Sequence, residues 1–227
     1  QGLREALGAF AFLRQPQTFK KAGREEQVIL KSANAILGRT IWDRAFSRAV
    51  APSTPYYNVD ELLRPEFFDT SWHLENCQKY RIYTSGRMSL LKGIHTLIEA
   101  VSLLKHDYPL LDVRIAGGTA PTCEYRYLRR LVERHGLSGT IHFLGWIPAD
   151  VIVREMQAAH IYVNPSFIEN SPNALQEAML MGMPCVASFS GGMPSIMLHN
   201  REGLMFPRGD FNVLAEQIRE IFSNDEL

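Results

Sequence analysis

Two glutamates, Glu169 and Glu177, stand with seven residues between them around a predicted helix start. Ser171 and Pro172 are typical of that start, because Ser caps free backbone N–H groups and Pro gives up only one that would be unpaired. Free N–H groups and the positive end of a helix dipole attract anions. The segment therefore suits a diphosphate ligand, with Glu169 beside it and Glu177 about 7 Å beyond Pro172 along the helix axis.

The spacing of these glutamates also fits two solvated side chains. The predicted structure around them therefore decides between a ligand site and an ordinary surface. An apolar strand, Ile161–Val163, precedes the turn and helix, and a second strand, Cys185–Ala187, follows them. Leu175 lies on the predicted packed face of the helix. Glu177 is about 200° away from it, so we expect Glu177 to project into solvent. The strand–turn–helix–strand pattern favours a ligand site.

A second candidate loop, residues 85–93, places Gly86 beside two cations, Arg87 and Lys92. Arg offers a forked pair of donors and Lys a compact charge, a combination suited to two phosphates. The Gly-Lys-Ser/Thr order of a Walker A loop is absent. Taken alone, the two cations fit solvated loop charges equally well.

Three more loops follow predicted strands. Glycine pairs in two of them would let a ligand approach the backbone, although Gly-Gly is also an ordinary turn. The third offers backbone amides and an apolar wall for a nucleobase, with simple packing as the alternative. The candidate residues in these loops are Gly117 and Gly118, Trp146 and Ile147, and Gly191 and Gly192.

From Lys79 onward, apolar strands alternate with helices. Strands of this kind, each followed by a helix, predict an α/β fold with a doubly wound parallel sheet that binds its ligand beyond the carboxyl ends of the strands. The predicted strands are Arg81–Thr84, Val113–Ala116, Ile141–Phe143, Ile161–Val163, Cys185–Ala187 and Leu204–Phe206. The predicted helices are Leu91–Lys105, Cys123–His135, Asp150–Ala159, Pro172–Met181 and Phe211–Phe222.

The region before residue 76 does not form a complete predicted domain. Its elements are three helices and one strand, followed by a connector rich in proline and aromatic residues, and a single strand cannot close a sheet. We therefore assign residues 1–75 to the tail of an incomplete domain plus a linker, and residues 76–227 to the ligand-binding domain; an independent helical cap is the alternative. These elements are Leu3–Leu13, Phe19–Ala33, Ala35–Leu37 and Thr40–Val50.

Composition excludes several classes of protein. Lys+Arg and Asp+Glu both total 24, so nothing favours nucleic-acid binding. The separated cysteines Cys77, Cys123 and Cys185 predict reduced thiols in a cytoplasmic protein. No run approaches the ~20 apolar residues of a membrane span. Because the 227 residues begin with Gln and lack a signal sequence, we expect a piece of a longer protein.

Together the motifs resemble the group 1 (family 4) retaining glycosyltransferases, which have two Rossmann-like domains in the GT-B architecture. The motifs are Gly-Arg-x5-Gly with Lys before the second Gly, then Ala-Gly-Gly, Phe-Leu-Gly-Trp, Asn-Pro-Ser-x2-Glu-x7-Glu-Ala-Met-x2-Gly-x-Pro and Gly-Gly-x-Pro. The resemblance covers Tyr80–Leu227, the donor-binding half. Residues 38–44, Gly-Arg-Thr-x-Trp-Asp-Arg, resemble the end of the acceptor-binding half, which is mostly missing.

The resemblance implies roles for individual residues. Arg87 and Lys92 would grip the donor diphosphate, and Glu169 would face the sugar ring; these three are the candidate catalytic residues. Glu177 would hold the ribose hydroxyls. The loop Gly145–Ile147 would hold the base, and the segment at the helix start would approach the sugar and phosphate, through Asn170, Ser171, Pro172 and Asn173. Asn170 stands where many members have Gly, and Ser195 where many have Glu.

The expected activity is transfer of a hexose from a nucleotide-diphosphate sugar to an acceptor, with retention of the anomeric configuration. A sugar or lipid-linked acceptor would bind the missing half, so we expect this chain alone to be inactive. No cofactor or metal is expected. The full-length protein would act in cell-surface polysaccharide biosynthesis in the cytoplasm, compatible with peripheral association with the inner face of the membrane. A nucleotide-sugar epimerase of similar fold and a non-catalytic nucleotide-sugar-binding module are the alternatives.

Overall fold

The computed structural model describes residues 19–118 and 122–224. The predicted helix Leu3–Leu13 lies outside these residues. The chain contains two compact units, Gln1–Asp60 and Glu61–Leu227. Residues 61–75, which the sequence assigned to the tail and linker, therefore lie inside the second unit. No helix in the described part of the chain is long and apolar enough to cross a membrane.

In the described part of the first unit, residues 19–60, two helices alternate with two short strands. Helix α2 begins with a capping box, in which the Thr40 side chain accepts from Asp43 N and the Asp43 carboxylate accepts from Thr40 N. Strand β2 was not predicted, because its flanking prolines read as an irregular connector; it pairs in parallel with β1. The elements are α1 (residues 19–32), β1 (Ile36–Gly38), α2 (Ile41–Val50) and β2 (Tyr56–Asn58).

The second unit is built on a sheet of six parallel strands in the order β5-β4-β3-β6-β7-β8. Each of the six predicted strands is confirmed, with ends that extend by one to three residues. Their bounds are β3 Gln78–Ser85, β4 Asp112–Ala116, β5 Ile141–Gly145, β6 Ala159–Asn164, β7 Cys185–Phe189 and β8 Leu204–Pro207.

Helices cover both faces of this sheet, which confirms the doubly wound α/β fold. Neighbouring residues of β3 enter different cores, because side chains alternate across a strand: Ile82 packs with α3, α4 and α7, and Tyr83 packs with α5 and α6. The helices are α3 Ile94–Leu104, α4 Cys123–Arg134, α5 Ala149–Ala158, α6 Asn173–Leu180 and α7 Phe211–Ser223. Short 3-10 turns occur at Pro65–Phe67, Leu74–Asn76, Leu90–Lys92 and Met193–Ser195.

Residues 61–75 are anchored to the second unit by packing and by hydrogen bonds. Phe67 is fully buried in the core on the α5 and α6 face. The indole of Trp72 donates to the carbonyl of Ala159, and its backbone N–H donates to the carbonyl of Met181, each at 2.7 Å. This segment is therefore an integral part of the unit that carries the predicted site.

The strand order reverses between β3 and β6, which are neighbours at the centre of the sheet. From β3 the chain proceeds outward to β4 and β5, and from β6 it proceeds in the other direction to β7 and β8. In an open parallel sheet, loops diverge at such a switch point and leave a crevice beyond the carboxyl ends of the two strands. Here those ends are Ser85 and Asn164.

Neighbouring phenylalanines test whether residues 61–75 belong to the second unit. Phe67→Ala should lower the free energy of unfolding by about 3–5 kcal/mol, because it removes a fully buried aromatic ring. Phe68, which is 56% exposed, is the matched control, and Phe68→Ala should change it by no more than about 0.5 kcal/mol. Urea unfolding of both variants makes the comparison. Equal effects would show that the segment is not packed as described.

Candidate active site

A cavity of about 290 Å³ lies at the switch point, between the ends of β3 and β6 and the start of α6. We call it the switch-point crevice. Six residues predicted from the sequence line it: Gly86, Lys92, Glu169, Ser171, Pro172 and Asn173. Five that were not predicted also line it: Ser85, Tyr162, Asn164, Ser166 and Ala174. Four of these five lie within two residues of the carboxyl end of β3 or β6, where the fold rule places ligands.

The crevice brings two of the candidate catalytic side chains into direct contact. Lys92 Nζ donates to Glu169 Oε2, and both side chains are partly buried. Lys92 ends the 3-10 turn Leu90–Lys92 that follows β3, and Glu169 lies in the loop that follows β6. A cation and a carboxylate from two different loops thus face the same cavity.

Gly93 allows these two loops to meet. Its φ is +67°, a left-handed conformation that L side chains rarely adopt. A Cβ at this position would lie 1.8 Å from the carbonyl oxygen of Pro165. Phe167 N also donates to the carbonyl of Leu91 at 2.8 Å. Backbone contact between the loops therefore fixes the distance between Lys92 and Glu169.

The predicted glycine loops pack against the crevice loops. A Cβ on Gly117 would lie 2.2 Å from the carbonyl oxygen of Gly86, and one on Gly191 would lie 1.9 Å from that of Glu169. Gly192 N donates to the same Glu169 carbonyl at 2.9 Å. At Gly117 and Gly191 the close approach expected for a ligand is made by neighbouring backbone. These glycines thus support the walls of the site.

Helix α6 begins one residue later than the predicted cap at Ser171 implies. Pro172 occupies the N-cap position, where it provides no side-chain cap, and the helix proper starts at Asn173. The hydroxyl of Ser171 accepts from the Gln176 side chain at 3.1 Å. The first turn of α6 therefore meets the crevice without a side-chain cap, which favours an anion there.

Glu177 is buried, so the expectation that it projects into solvent was wrong. Its side chain is 1% exposed, and both carboxylate oxygens accept from Arg64: Nε to Oε1 and Nη2 to Oε2, each at 2.7 Å. The bond to Glu177 raises the pKa of Arg64 above its ordinary value. A helical projection of α6 considers only the helix, whereas Arg64 comes from 113 residues earlier in the chain.

Other predicted residues lie outside the cavity lining. Arg87 and Trp146 are exposed, and Trp146 follows β5, an edge strand of the sheet. Ile147 packs against the core on the α5 and α6 face. Asn170 lies in the crevice loop between Glu169 and Ser171 but is not part of the cavity lining, and Gly118 lies in the loop after β4, next to Met88.

Two buried tyrosines lie side by side beneath the crevice. Tyr83 and Tyr162 are register partners on β3 and β6, with ring centroids 6.2 Å apart. Burial raises the pKa of both hydroxyls above the usual range, so both stay protonated at neutral pH. Tyr162 lines the crevice and is therefore a potential hydrogen-bond donor that the apolar strand pattern concealed.

A larger cavity of about 390 Å³ lies at the opposite end of the sheet, where β6, β7 and β8 begin. Its walls include Trp72, Met183 and Leu204, and none of the predicted site residues. Size alone does not identify the site, since the charged groups converge on the smaller crevice. Among the described residues, no group of three or more His, Cys, Asp or Glu side chains is arranged to hold a metal ion.

Because one partner of the buried ion pair is more exposed than the other, replacing Arg64 and replacing Glu177 should lower the free energy of unfolding by different amounts. Arg64→Met leaves the buried carboxylate unpaired and should lower the free energy of unfolding by about 3–5 kcal/mol. Glu177→Ala leaves a guanidinium that is 40% exposed and can regain water, so the loss should be about 1–3 kcal/mol. Urea unfolding gives both values.

The control for this prediction is Glu216→Ala, which removes an exposed partner of Arg219 and should cost less than about 1 kcal/mol. If Glu177→Ala matched this control, the burial of Glu177 and its pairing with Arg64 would be wrong. The comparison separates a buried charge pair from a surface one within the same unit.

The sequence and the fold are similar to those of known proteins. The family model "Glycosyl transferases group 1" matches residues 79–224. D-inositol 3-phosphate glycosyltransferase of Corynebacterium urealyticum is 31% identical over 149 residues, which are 62% of this chain and 34% of that protein. Amylovoran biosynthesis glycosyltransferase AmsK of Erwinia amylovora is 30% identical over 159 residues, 67% of this chain and 38% of that protein. The chain thus spans little more than a third of the length of these relatives.

Solved structures share the fold. Sucrose-phosphate synthase from Thermosynechococcus elongatus has a TM-score of 0.78 and 25% identity, over 88% of this chain and 51% of that one. Anabaena HepE in complex with UDP-glucose has a TM-score of 0.78 and 20% identity, over 91% of this chain and 59% of that one. The six-stranded sheet and its switch-point crevice thus occur together with a family match over more than half of the sequence, and the chain belongs to the group 1 glycosyltransferases.

Proposed function

We propose that this chain is the donor-binding half of a family 4 glycosyltransferase, which transfers a sugar from a nucleotide-diphosphate sugar to an acceptor with retention of the anomeric configuration. The observation that carries the proposal is the convergence of Lys92, Glu169 and the uncapped start of α6 on one crevice. Membership of the group 1 glycosyltransferases supports glycosyl transfer in general. The complex of HepE with UDP-glucose supports a nucleotide-sugar donor.

In this proposal, the diphosphate binds between Lys92 and the first turn of α6. Both are positive, one by formal charge and one by the helix dipole, and both are held in place before the donor arrives. Fixed positive groups stabilise the charge that develops on the departing diphosphate, which is electrostatic catalysis. Arg87 is exposed at the rim of the same loop and adds a second cation.

Glu169 acts on the sugar. Its backbone is fixed by Gly192, and its side chain contacts Lys92, so the carboxylate lies next to the site of the diphosphate. From there it positions the sugar ring or stabilises the positive charge that develops at the anomeric carbon. Lys92 would then serve the diphosphate and Glu169 together, because an ammonium group carries three donors.

The acceptor would bind a part of the protein to which the first unit contributes. From residue 19 onward this unit has two paired strands, and three large apolar side chains of α2, Ile41, Trp42 and Phe46, are exposed. Such a surface is typical of an element that packs against further structure. The amylovoran relative supports a role in cell-surface polysaccharide biosynthesis, with a sugar or lipid-linked acceptor. We place the enzyme in the cytoplasm, with peripheral association at the inner face of the membrane.

Calorimetry with nucleoside diphosphates tests the roles of the two charged groups. Lys92→Met should weaken binding by about 1.5–3 kcal/mol, the range for a hydrogen bond to a charged group. Glu169→Gln keeps its shape but loses its charge, so it should bind the diphosphate at least as tightly as the parent. In the full-length enzyme, the same change should lower turnover.

The matched control for Lys92 is Lys105→Met, since Lys105 donates to the carbonyl of Gly136 well away from the crevice. Its variant should bind with the affinity of the parent. If Lys92→Met and Lys105→Met bound the diphosphate with equal affinity, Lys92 would not be part of the binding site. A weaker diphosphate affinity of Glu169→Gln would show that the carboxylate binds the donor in another way.

Activity of the full-length enzyme should not require a divalent metal. The sequence contains no Asp-x-Asp pair, the usual carboxylates of a metal-bridged diphosphate, and Lys92 and Arg87 supply positive charge instead. Turnover should therefore be unchanged within about twofold after treatment with EDTA. If EDTA abolished transfer and added magnesium or manganese restored it, the assigned role of the two cations would be wrong.

The 227-residue chain should bind nucleoside diphosphates but transfer no sugar. Its crevice contains the proposed donor groups, whereas a two-domain transferase assembles its acceptor site from both halves. Transfer from radiolabelled nucleotide sugars to a panel of glycan and lipid-linked acceptors measures this. Robust transfer by the chain alone would show that it carries the acceptor site as well.

A further inference from the structure

The ion pair between Arg64 and Glu177 restrains the orientation of a buried carboxylate in α6, one helical turn beyond Asn173 and outside the lining of the crevice. A planar guanidinium that donates once to each carboxylate oxygen fixes both the position and the plane of that carboxylate. A lysine would provide only a point charge at the same place. The contact thus determines geometry as well as charge.

Arg64 is itself held in place by the fold. Its guanidinium carbon lies 4.8 Å from the ring centroid of Phe67, which is fully buried. A little further along the same segment, Trp72 is hydrogen-bonded to Ala159 and Met181. The guanidinium is therefore presented to Glu177 by an anchored segment, and its orientation does not depend on a free surface chain.

Glu177 still has acceptor capacity after pairing with Arg64. An ionised carboxylate has about four lone-pair sites, and Arg64 uses one on each oxygen. Asn173 and Ala174 line the crevice and precede Glu177 by four and three residues, so the three share one face of α6. A nucleoside that lies along α6 from its first turn meets Glu177 next. The adjacent hydroxyls of a ribose supply two donors for the two oxygens.

We propose that Arg64 is a positioning residue for the ribose of the donor: without touching the donor, it orients the Glu177 carboxylate to accept the ribose hydroxyls. This inference rests on the proposed function, because it requires a nucleoside diphosphate in the switch-point crevice. It adds a residue that none of the motifs contains. If the pair served only to anchor residues 61–75, replacing Arg64 would change stability and leave recognition of the ribose unaltered.

The test is discrimination between ribose and 2′-deoxyribose by the 227-residue chain. Calorimetry with UDP, GDP and ADP first identifies the diphosphate that binds most tightly, and then its 2′-deoxy form is titrated. The parent should bind the deoxy form at least about tenfold more weakly, the effect of losing one hydrogen bond to a charged group. Arg64→Met should reduce this ratio to less than about threefold, and Arg64→Lys should give an intermediate value.

The ratio of the two dissociation constants keeps the test valid for a destabilised variant. Both ligands are titrated into the same preparation, so the fraction of folded protein cancels in the ratio. Arg81→Met is the control, because it breaks a partly buried pair of this unit, Arg81 Nε to Asp112 Oδ2 at 2.7 Å, four residues before the carboxyl end of β3. This variant should keep the parent ratio. In a Glu177→Gln background, Arg64→Met should lower the ratio no further.

The outcomes separate this inference from the proposed function. A parent chain that binds no nucleoside diphosphate would overturn both. A parent that binds one without discriminating against the deoxy form would overturn the inference alone, since no ribose contact would exist to be positioned. Arg64→Met with the parent ratio would also overturn it, and the pair would be an anchor. Tighter binding of both ligands by Arg64→Met would overturn the inference too, because it would show that Arg64 covers the site in the parent.

Discussion

The reversal of strand order between β3 and β6 is the constraint on which the candidate site depends. All six strands are parallel, so their carboxyl ends lie along one edge, but only at the reversal do the following loops diverge and leave a crevice. The loops after these two strands then touch through backbone. Gly93 makes that contact with Pro165, and it brings Lys92 and Glu169 together. Topology thus creates the space, and one glycine sets the distance across it.

A second constraint acts on Glu177 from outside α6. A buried carboxylate without a partner is costly, and the partner comes from residues 61–75, which precede the sheet in the chain. The same segment fills the core with Phe67. Any change that loosens this segment should therefore affect Glu177 as well, so the segment couples the stability of the second unit to the geometry of its site.

The sequence predicted the parts of the structure that depend on local patterns. Apolar runs such as Ile161–Val163 gave all six strands, and Lys92 and Glu169 were recognised because each follows a strand. Features that depend on distant residues were missed. Tyr162 was read as one apolar strand position, although its hydroxyl-bearing ring lines the crevice.

Glu177 shows most clearly where prediction from the sequence fails. Its helical position predicted an exposed side chain, and only its ion pair with Arg64 explains why it is buried. Strand β2 was missed for a similar reason, because its partner β1 lies about 20 residues earlier and the prolines that flank β2 indicate a loop. The cap of α6 differed by one position, which no pattern of residue types fixes when Ser and Pro are adjacent. Residue types and their spacing along the chain predicted the strands and the candidate residues, whereas contacts between distant segments could not be predicted from them.

The proposed function depends above all on where the donor diphosphate binds. A crystal structure of the chain with its tightest-binding nucleoside diphosphate tests that position most directly. We expect phosphate density in the switch-point crevice, within hydrogen-bonding distance of Lys92 Nζ and of the backbone N–H groups in the first turn of α6. Density instead in the larger cavity beside Trp72 and Leu204, at the other end of the sheet, would contradict it.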